Sequence, residues 1–323
     1  MYFENFEKRF EVASDFSEWA STLSGVHAET APLDEDFRLV SRGMILRGGP
    51  LDGTVSLRQV SMTGAMIAFA GSSRVVTLLA PHRGAAPVCA RATCGAGEIL
   101  NHQVGPQVLA VPPRADFLSL SFPYKLLPAA IARIGLPGAL DGQVDNLLFW
   151  IDKVRLLRLT ASLWGELETA TEAEIASRSL FSQTCDRITE ALAEDFHAHL
   201  LRGRAVRADP LRSIFVRCHA LLESIPCRAV PVQELSMAVN ASEQRINEAF
   251  GETVGVNPRT WHTVLRLLKA RGVLRRAEGD RAKVSEVAHK FGFTHLGRFS
   301  TAYQKFFREY PSATLKTPVP AFD

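Results

Sequence analysis

Two stretches of this chain follow one plan. Residues 232–250 read VQELSMAVNASEQRINEAF, and residues 284–303 read VSEVAHKFGFTHLGRFSTAY. Each opens on Val, carries Glu two residues on, and sets apolar residues around a small one. Each then reaches a short turn and resumes as an amphipathic segment that ends in an aromatic, Phe250 or Tyr303, at an offset of about 53 residues. A helical period that stops at a turn and resumes reads as a helix-turn-helix. Written twice, it demands a fold that packs two such hairpins and the helices between them.

In the first unit Leu235, Ala238 and Val239 are expected to face the core, Asn240 to take the turn and Ser242 to cap the second helix. Ile246, Ala249 and Phe250 pin that helix, which leaves Glu243, Gln244, Asn247 and Glu248 outward. In the second unit Val287, Ala288 and Phe291 face in, Gly292 permits the turn, Phe293 anchors the corner and Thr294 caps. Phe299, Ala302 and Tyr303 pin the last helix, so Leu296, Gly297, Arg298, Ser300 and Thr301 point outward. Small hydroxyls and cations at the outward start of a helix suit a DNA major groove, where side chains meet base edges.

The charge distribution agrees. From Arg207 to Asp323 there are 18 Lys and Arg against 11 Asp and Glu, whereas the preceding residues hold 19 against 23. A basic third on a mildly acidic body is the footprint of a nucleic-acid module attached to something else. Arg245, Arg266, Arg271, Arg275, Arg276 and Arg298 are the candidate phosphate contacts, and Trp261 reads as core.

Residues 212–315 resemble the DNA-binding domain of the AraC/XylS family of transcription regulators. The resemblance rests on ELSMAVNASEQRINEAF, GVNPRTWHTVLRLLKA and VSEVAHKFGFTHLGRFSTAYQKFFREYPSATL, with the A-x3-G-F corner, Phe299, the pair Tyr303 and Phe307, and Pro-Ser after it. It implies two helix-turn-helix units bridged by one long helix, here about Pro258 to Arg276, which sets two recognition helices roughly 34 Å apart. The DNA-binding residues it implies are Ser242, Glu243, Gln244, Arg245, Asn247, Glu248, His295, Leu296, Gly297, Arg298, Ser300, Thr301 and Lys305. Three positions depart from the family pattern: Arg308 stands where Gly is usual, and Thr301 and Glu248 stand where a cation is common.

Upstream the pattern changes. From about Phe37 to Phe122 short β-branched runs alternate with Gly, Pro and Asp at intervals near ten residues, as in an antiparallel sandwich or small barrel. This part is similar, more loosely, to the cupin-like sensing half of such regulators. Between Val144 and Leu201 the period is helical: Leu147, Leu148, Ile151, Val154, Leu157, Leu163, Trp164 and Leu167, then Phe181, Cys185, Ile188, Leu192 and Phe196. That stripe would pack on the barrel or on a second subunit. LRGRAVRADP, residues 201–210, reads as a linker.

The fold expected is α+β: residues 1–140 a β-rich sensor, 141–206 a helical dimerisation or linker region, and 207–323 an all-α DNA-binding domain. No run of about 18 uncharged apolar residues is present to span a membrane. The start MYFENFEKRFEVASDF lacks a secretion signal, which places the protein in the cytoplasm. Five cysteines, an odd number with Cys89 and Cys94 five apart, read as reduced thiols rather than a metal or redox set.

The partners expected are double-stranded DNA, RNA polymerase, a second copy of the chain and a small-molecule effector of unknown identity. The competing reading is a cupin-fold metal enzyme with a structural helical tail. His82, Glu98 and His102 would be its ligands, but the H-x-H spacing of such sites is missing. No P-loop, Rossmann fingerprint or nucleophile elbow appears. The chain is therefore read as a regulator with no enzymatic activity, cofactor or metal.

Overall fold

The computed structural model describes residues 6–13, 27–32, 38–48, 53–64, 66–71, 75–83, 88–89, 98–100, 107–135, 153–202, 210–275 and 283–316. Among the described residues ten strands form two antiparallel sheets. β1 (Phe6–Ala13), β3 (Leu39–Arg47), β4 (Thr54–Met62), β10 (Asp116–Pro123), β6 (Val75–Arg83) and β8 (Glu98–Leu100) form the larger sheet, in the order β1-β3-β4-β10-β6-β8. β2 (His27–Pro32), β5 (Met66–Gly71), β9 (Gln107–Val111) and β7 (Val88–Cys89) form the smaller, in the order β2-β5-β9-β7. From β4 onward the chain changes sheet at every connection. Such alternation between two sheets is the threading of a sandwich.

Both faces of the large sheet are buried. On β4, Val55 and Leu57 join a core with three helices: α1 (Leu126–Arg133), α2 (Lys153–Thr169) and, after the short α3 (Glu172–Ala176), α4 (Arg178–Arg202). Val60, on the opposite face, is also fully buried. Leu156, Leu163 and Leu167 of α2 and Phe181, Cys185, Ile188, Leu192 and Phe196 of α4 lie in the first core. The described part of the helical stripe thus packs within the chain, while Leu147, Leu148 and Ile151 fall outside the described residues. Val154, placed in that stripe by its spacing, is instead half exposed, because it starts the helix on the far side. Thr171 and Glu174 close a capping box that begins α3, and so mark the break in the helical period.

Seven further helices share one core: α5 (Pro210–Ser224), α6 (Val232–Val239), α7 (Glu243–Val254), α8 (Pro258–Arg275), α9 (Val284–Lys290), α10 (Leu296–Phe307) and α11 (Pro311–Lys316). Trp261 of α8 is fully buried and meets Phe215 and Phe250 edge-on, at ring separations of 5.3 and 6.4 Å. α8 and α10 touch β2, and α7 touches β9, so these helices lean on the small sheet.

Candidate nucleic-acid interface

Two helix pairs, α6–α7 and α9–α10, flank α8. In the first, Asn240 ends α6 in the left-handed conformation at φ 50°, and Arg217 of α5 donates to the terminal carbonyl of Val239 at 2.9 Å. Ser242 caps α7 by accepting from the Arg245 amide at 3.3 Å. Leu235 and Val239 are buried as a four-residue pair on one face of α6. Ala238 is not: it is exposed, about 100° around the helix from Val239. Ile246, Ala249 and Phe250 are fully buried and fix the roll of α7.

That roll leaves Ser242, Glu243, Gln244, Arg245 and Asn247 exposed and Glu248 half-buried. Their side chains are partly tied to each other. Gln244 Nε2 donates to Glu248 at 2.9 Å, Arg245 pairs with Glu248 at 3.4 Å, and Asn247 Nδ2 donates to the Glu243 carbonyl at 2.9 Å. Glu248 therefore neutralises the one cation of this face.

The second pair turns at Gly292, φ 72°. α10 begins at Leu296 with His295 as its N-cap, in extended backbone and without a side-chain cap. Thr294 is therefore not the cap. The connection runs two residues longer than its analogue, and α10 has no side-chain cap at its first amides. Phe299 and Tyr303 are fully buried, with Phe293 packed on Phe299 at 5.0 Å. His295, Leu296, Gly297, Arg298, Thr301 and Lys305 are exposed and Ser300 is half-buried. Arg298 has no hydrogen-bond or ion-pair partner among the described residues, whereas Thr301 Oγ1 donates back to the Gly297 carbonyl at 2.9 Å. Gln304 lies exposed on the same face, three residues past Thr301. The spacing that selects Thr301 also selects Gln304, which the sequence reading omitted.

Two expected phosphate contacts are internal instead. Arg266 is 7% and Arg271 4% exposed, because α8 is packed on nearly every side. Arg266 lies over the Phe293 ring at 4.6 Å and donates to the carbonyls of Phe291 and Gly292 at 3.4 Å each. It thereby holds the turn of the second pair. Arg271 pairs with Glu309 at 2.9 Å and lies over Phe307 at 4.5 Å. Arg275 is half-buried, and Arg276 falls outside the described residues. Arg308, in the position where Gly was expected, takes the left-handed conformation a glycine would, at φ 58°.

In the β region, His82 Nδ1 stands 3.5 Å from Asp116 Oδ1. His102 and Cys94 fall outside the described residues.

The surface that emerges is two short helices on one core, each with an exposed polar face. The sequence pattern of a helix-turn-helix domain matches residues 235–317, which span both helix pairs. The chain is 26% identical over 267 residues to the probable thc operon regulatory protein of Rhodococcus erythropolis, covering 80% of this chain and 74% of that one. It is 27% identical over 128 residues to the XylDLEGF operon transcriptional activator 2 of Pseudomonas putida, covering 40% and 80%. The chain is thus similar to transcription regulators of the AraC/XylS kind and carries a helix-turn-helix domain. Among solved structures, a probable AraC family regulator from Rhodopseudomonas palustris is 26% identical, with 33% of this chain and 99% of that one covered and a TM-score of 0.31. ToxT from Vibrio cholerae is 11% identical, with 98% and 100% covered and a TM-score of 0.33. Among the described residues no helix is long and apolar enough to cross a membrane.

One titration in this helical core is open to measurement. His262 is 3% exposed, and its Nε2 lies 3.1 Å from the Ile225 carbonyl. Burial, then the Arg266 charge, pushes its pKa down from 6.5 to about 4. Between those values the unfolded chain holds the proton and the folded chain does not. This contribution to stability is therefore complete above about pH 6.5 and is lost as pH falls through about 4. Melting temperatures measured across that window should drop with acid, and His262→Gln should flatten the drop.

Proposed function

We propose that this chain is a one-component transcriptional activator that reads two successive major grooves. α7 and α10 are the recognition helices, and α8 is the strut that holds them ~34 Å apart, one turn of the duplex. Ser242, Gln244, Arg245 and Asn247 face the first groove. His295, Leu296, Gly297, Arg298, Ser300, Thr301 and Lys305 face the second, with Glu243 and Glu248 at the margin of the first. The observation that carries this reading is exposure in the intact chain. The inner residues of both helices are buried in one core, while the outward faces of both stay open, even though α10 and α7 touch the small sheet. The uncapped start of α10 adds free amides aimed at a phosphate.

In this reading residues 207–323 bind DNA, residues 1–140 form a cupin-like sensor for a small molecule, and residues 141–206 join them. The effector acts by favouring one of two pre-existing states. The protein works in the cytoplasm as a homodimer, with its seam away from the α2 and α4 stripe, and engages RNA polymerase. The operon-regulator and activator names of the relatives support activation.

Selection of bound sequences from a random DNA pool tests the reading directly. A fragment starting at Arg207 should select the same half-sites as the full chain, in salt-dependent fashion. With the selected operator, Arg298→Ala should cost ~1–3 kcal/mol of specific binding and relax preference at one base pair. An unchanged ratio of operator to random affinity would remove Arg298 from base reading.

A further inference from the structure

β1 is the open end of the large sheet. It pairs with β3 over its whole length, from Phe6 opposite Leu46 to Ala13 opposite Leu39, without a register shift. Among the described residues no strand pairs with its other side. Edge strands are commonly blunted by brevity, a bulge, a proline or a free charge. β1 is eight residues long, about 27 Å, and has neither bulge nor proline. Three of its charges are engaged within the chain. Lys8 Nζ donates to the Glu168 carbonyl, in the last turn of α2, at 3.2 Å. Glu7 accepts from Arg9 at 3.0 Å and from Arg47 of β3 at 2.8 Å.

Phe6, Lys8, Phe10 and Val12 alternate onto the face that the helices cover, and Phe6 packs on that core. Beyond Lys8 the cover stops: Phe10 is 71% and Val12 53% exposed. Arg42, opposite Phe10 on β3, lies over the Trp164 ring at 5.0 Å. An apolar face at an unpaired edge suits another strand, whose main chain fills the edge while alternate side chains meet.

The sequence of β1 selects its own copy as that strand. A twofold axis through the edge sets β1 antiparallel to itself, and residues of one face then meet only residues of the same face. Centring on Arg9 would oppose Arg9 to itself and Glu7 to Glu11. Centring on Lys8 or Glu11 likewise sets a charge against itself, which is destabilising. Centring on Phe10 brings Phe10 against Phe10, Val12 against the stem of Lys8, and Arg9 opposite Glu11 on both sides of the axis.

We propose that β1 pairs antiparallel with β1 of a second copy of this chain, centred on Phe10, so that the large sheet runs on across the seam. This rests on the homodimer reading above and names its surface.

Sedimentation velocity and oxidative crosslinking on the full chain test it. The unmodified chain should sediment as a dimer. Phe10→Asp should weaken that dimer about tenfold or more, because it sets two carboxylates against each other at the axis. Phe10 is mostly exposed, so in dilute samples the melting temperature should stay that of the unmodified chain. Cysteines read the register, in a Cys227→Ser background that removes an exposed thiol. Phe10→Cys should oxidise to a covalent dimer, because the two Cα atoms lie about 5 Å apart. Val12→Cys should not, because it pairs with Lys8 of the other copy and stands about 14 Å from its counterpart. Should Phe10→Asp fail to fold, the two cysteine variants still decide. Phe10→Asp dimerising as well as the unmodified chain, or Phe10→Cys crosslinking no faster than Val12→Cys, would overturn this seam and leave the homodimer reading standing. A monomeric unmodified chain would overturn both, and would leave the edge to a strand of another protein.

Discussion

Gly292→Val is expected to unfold the second helix pair, with a loss of about 3 kcal/mol or more. Two costs combine. At φ 72° an L side chain costs about 1–2 kcal/mol, and a β-branched one is an outlier. The added Cβ would also stand 2.3 Å from the Cys227 carbonyl oxygen and 2.8 Å from the Arg228 Cα. Those neighbours are backbone of the α5–α6 connection, which cannot swing aside as a side chain can. Overpacking of this kind costs about 1–3 kcal/mol. The same close approach links the two helix pairs, since the turn of one rests on the entry to the other. Gly297→Ala is the control. Nothing lies within 4 Å of a Cβ there, so it should stabilise α10 by about 0.5–1 kcal/mol. Chemical denaturation of both variants checks the contrast, and native-like stability of Gly292→Val would contradict the corner assignment.

What was legible in the sequence follows from where a residue's type determines its environment. Asn240 and Gly292 occupy left-handed backbone positions that few residues accept, Ser242 supplies a side-chain acceptor to a helix start, and all three were read for the reasons the structure shows. The apolar spacing of Ile246, Phe250, Phe299 and Tyr303 fixed both helix rolls, and so identified the exposed faces. The runs at β3, β4, β6 and β10 were visible because their alternation is flanked by turn residues.

The misses have the complementary cause. Arg266 and Arg271 were read as surface cations because a charge in a helical run gives no sign that the helix is surrounded. Only the fold reveals that α8 has almost no outside. β1 was missed because FEKRFEVA interleaves charges with its apolar residues, which an edge strand with Phe10 and Val12 exposed allows. α1 was missed because Pro128 suggests a break, yet it falls in the first turn, where proline costs no hydrogen bond. Arg58 escaped notice for a related reason: TVSLRQVSM looks like a half-solvated strand until its polar face proves to be an interior.

Arg271→Leu should destabilise the C-terminal core by about 3 kcal/mol, the scale of removing one partner from a buried ion pair. The leucine fills most of the stem's volume, so the loss reports on the polar head. That head makes two bonds to Glu309 Oε1, from Nε at 3.2 Å and from Nη2 at 2.9 Å. The same carboxylate oxygen accepts from Thr314 at 2.8 Å, and the Thr314 hydroxyl lies 2.8 Å from the Tyr303 hydroxyl. The chain of contacts runs from the strut α8, through the loop after α10, to α11 and back to the buried side of α10. Without Arg271, Glu309 is left half-buried without its cation, and Phe307 loses the guanidinium over its ring. The helix that should enter the second groove then loses its tie to the strut. The variant is therefore expected to fall further in operator binding than in folding at moderate temperature, because α10 can shift on its core before the core melts. Glu309→Gln, which keeps the acceptor for Thr314 but weakens the pair, should show a smaller loss in both. Equal stability of Arg271→Leu and the unmodified chain in urea titrations would show that the network is not what fixes α10 to α8.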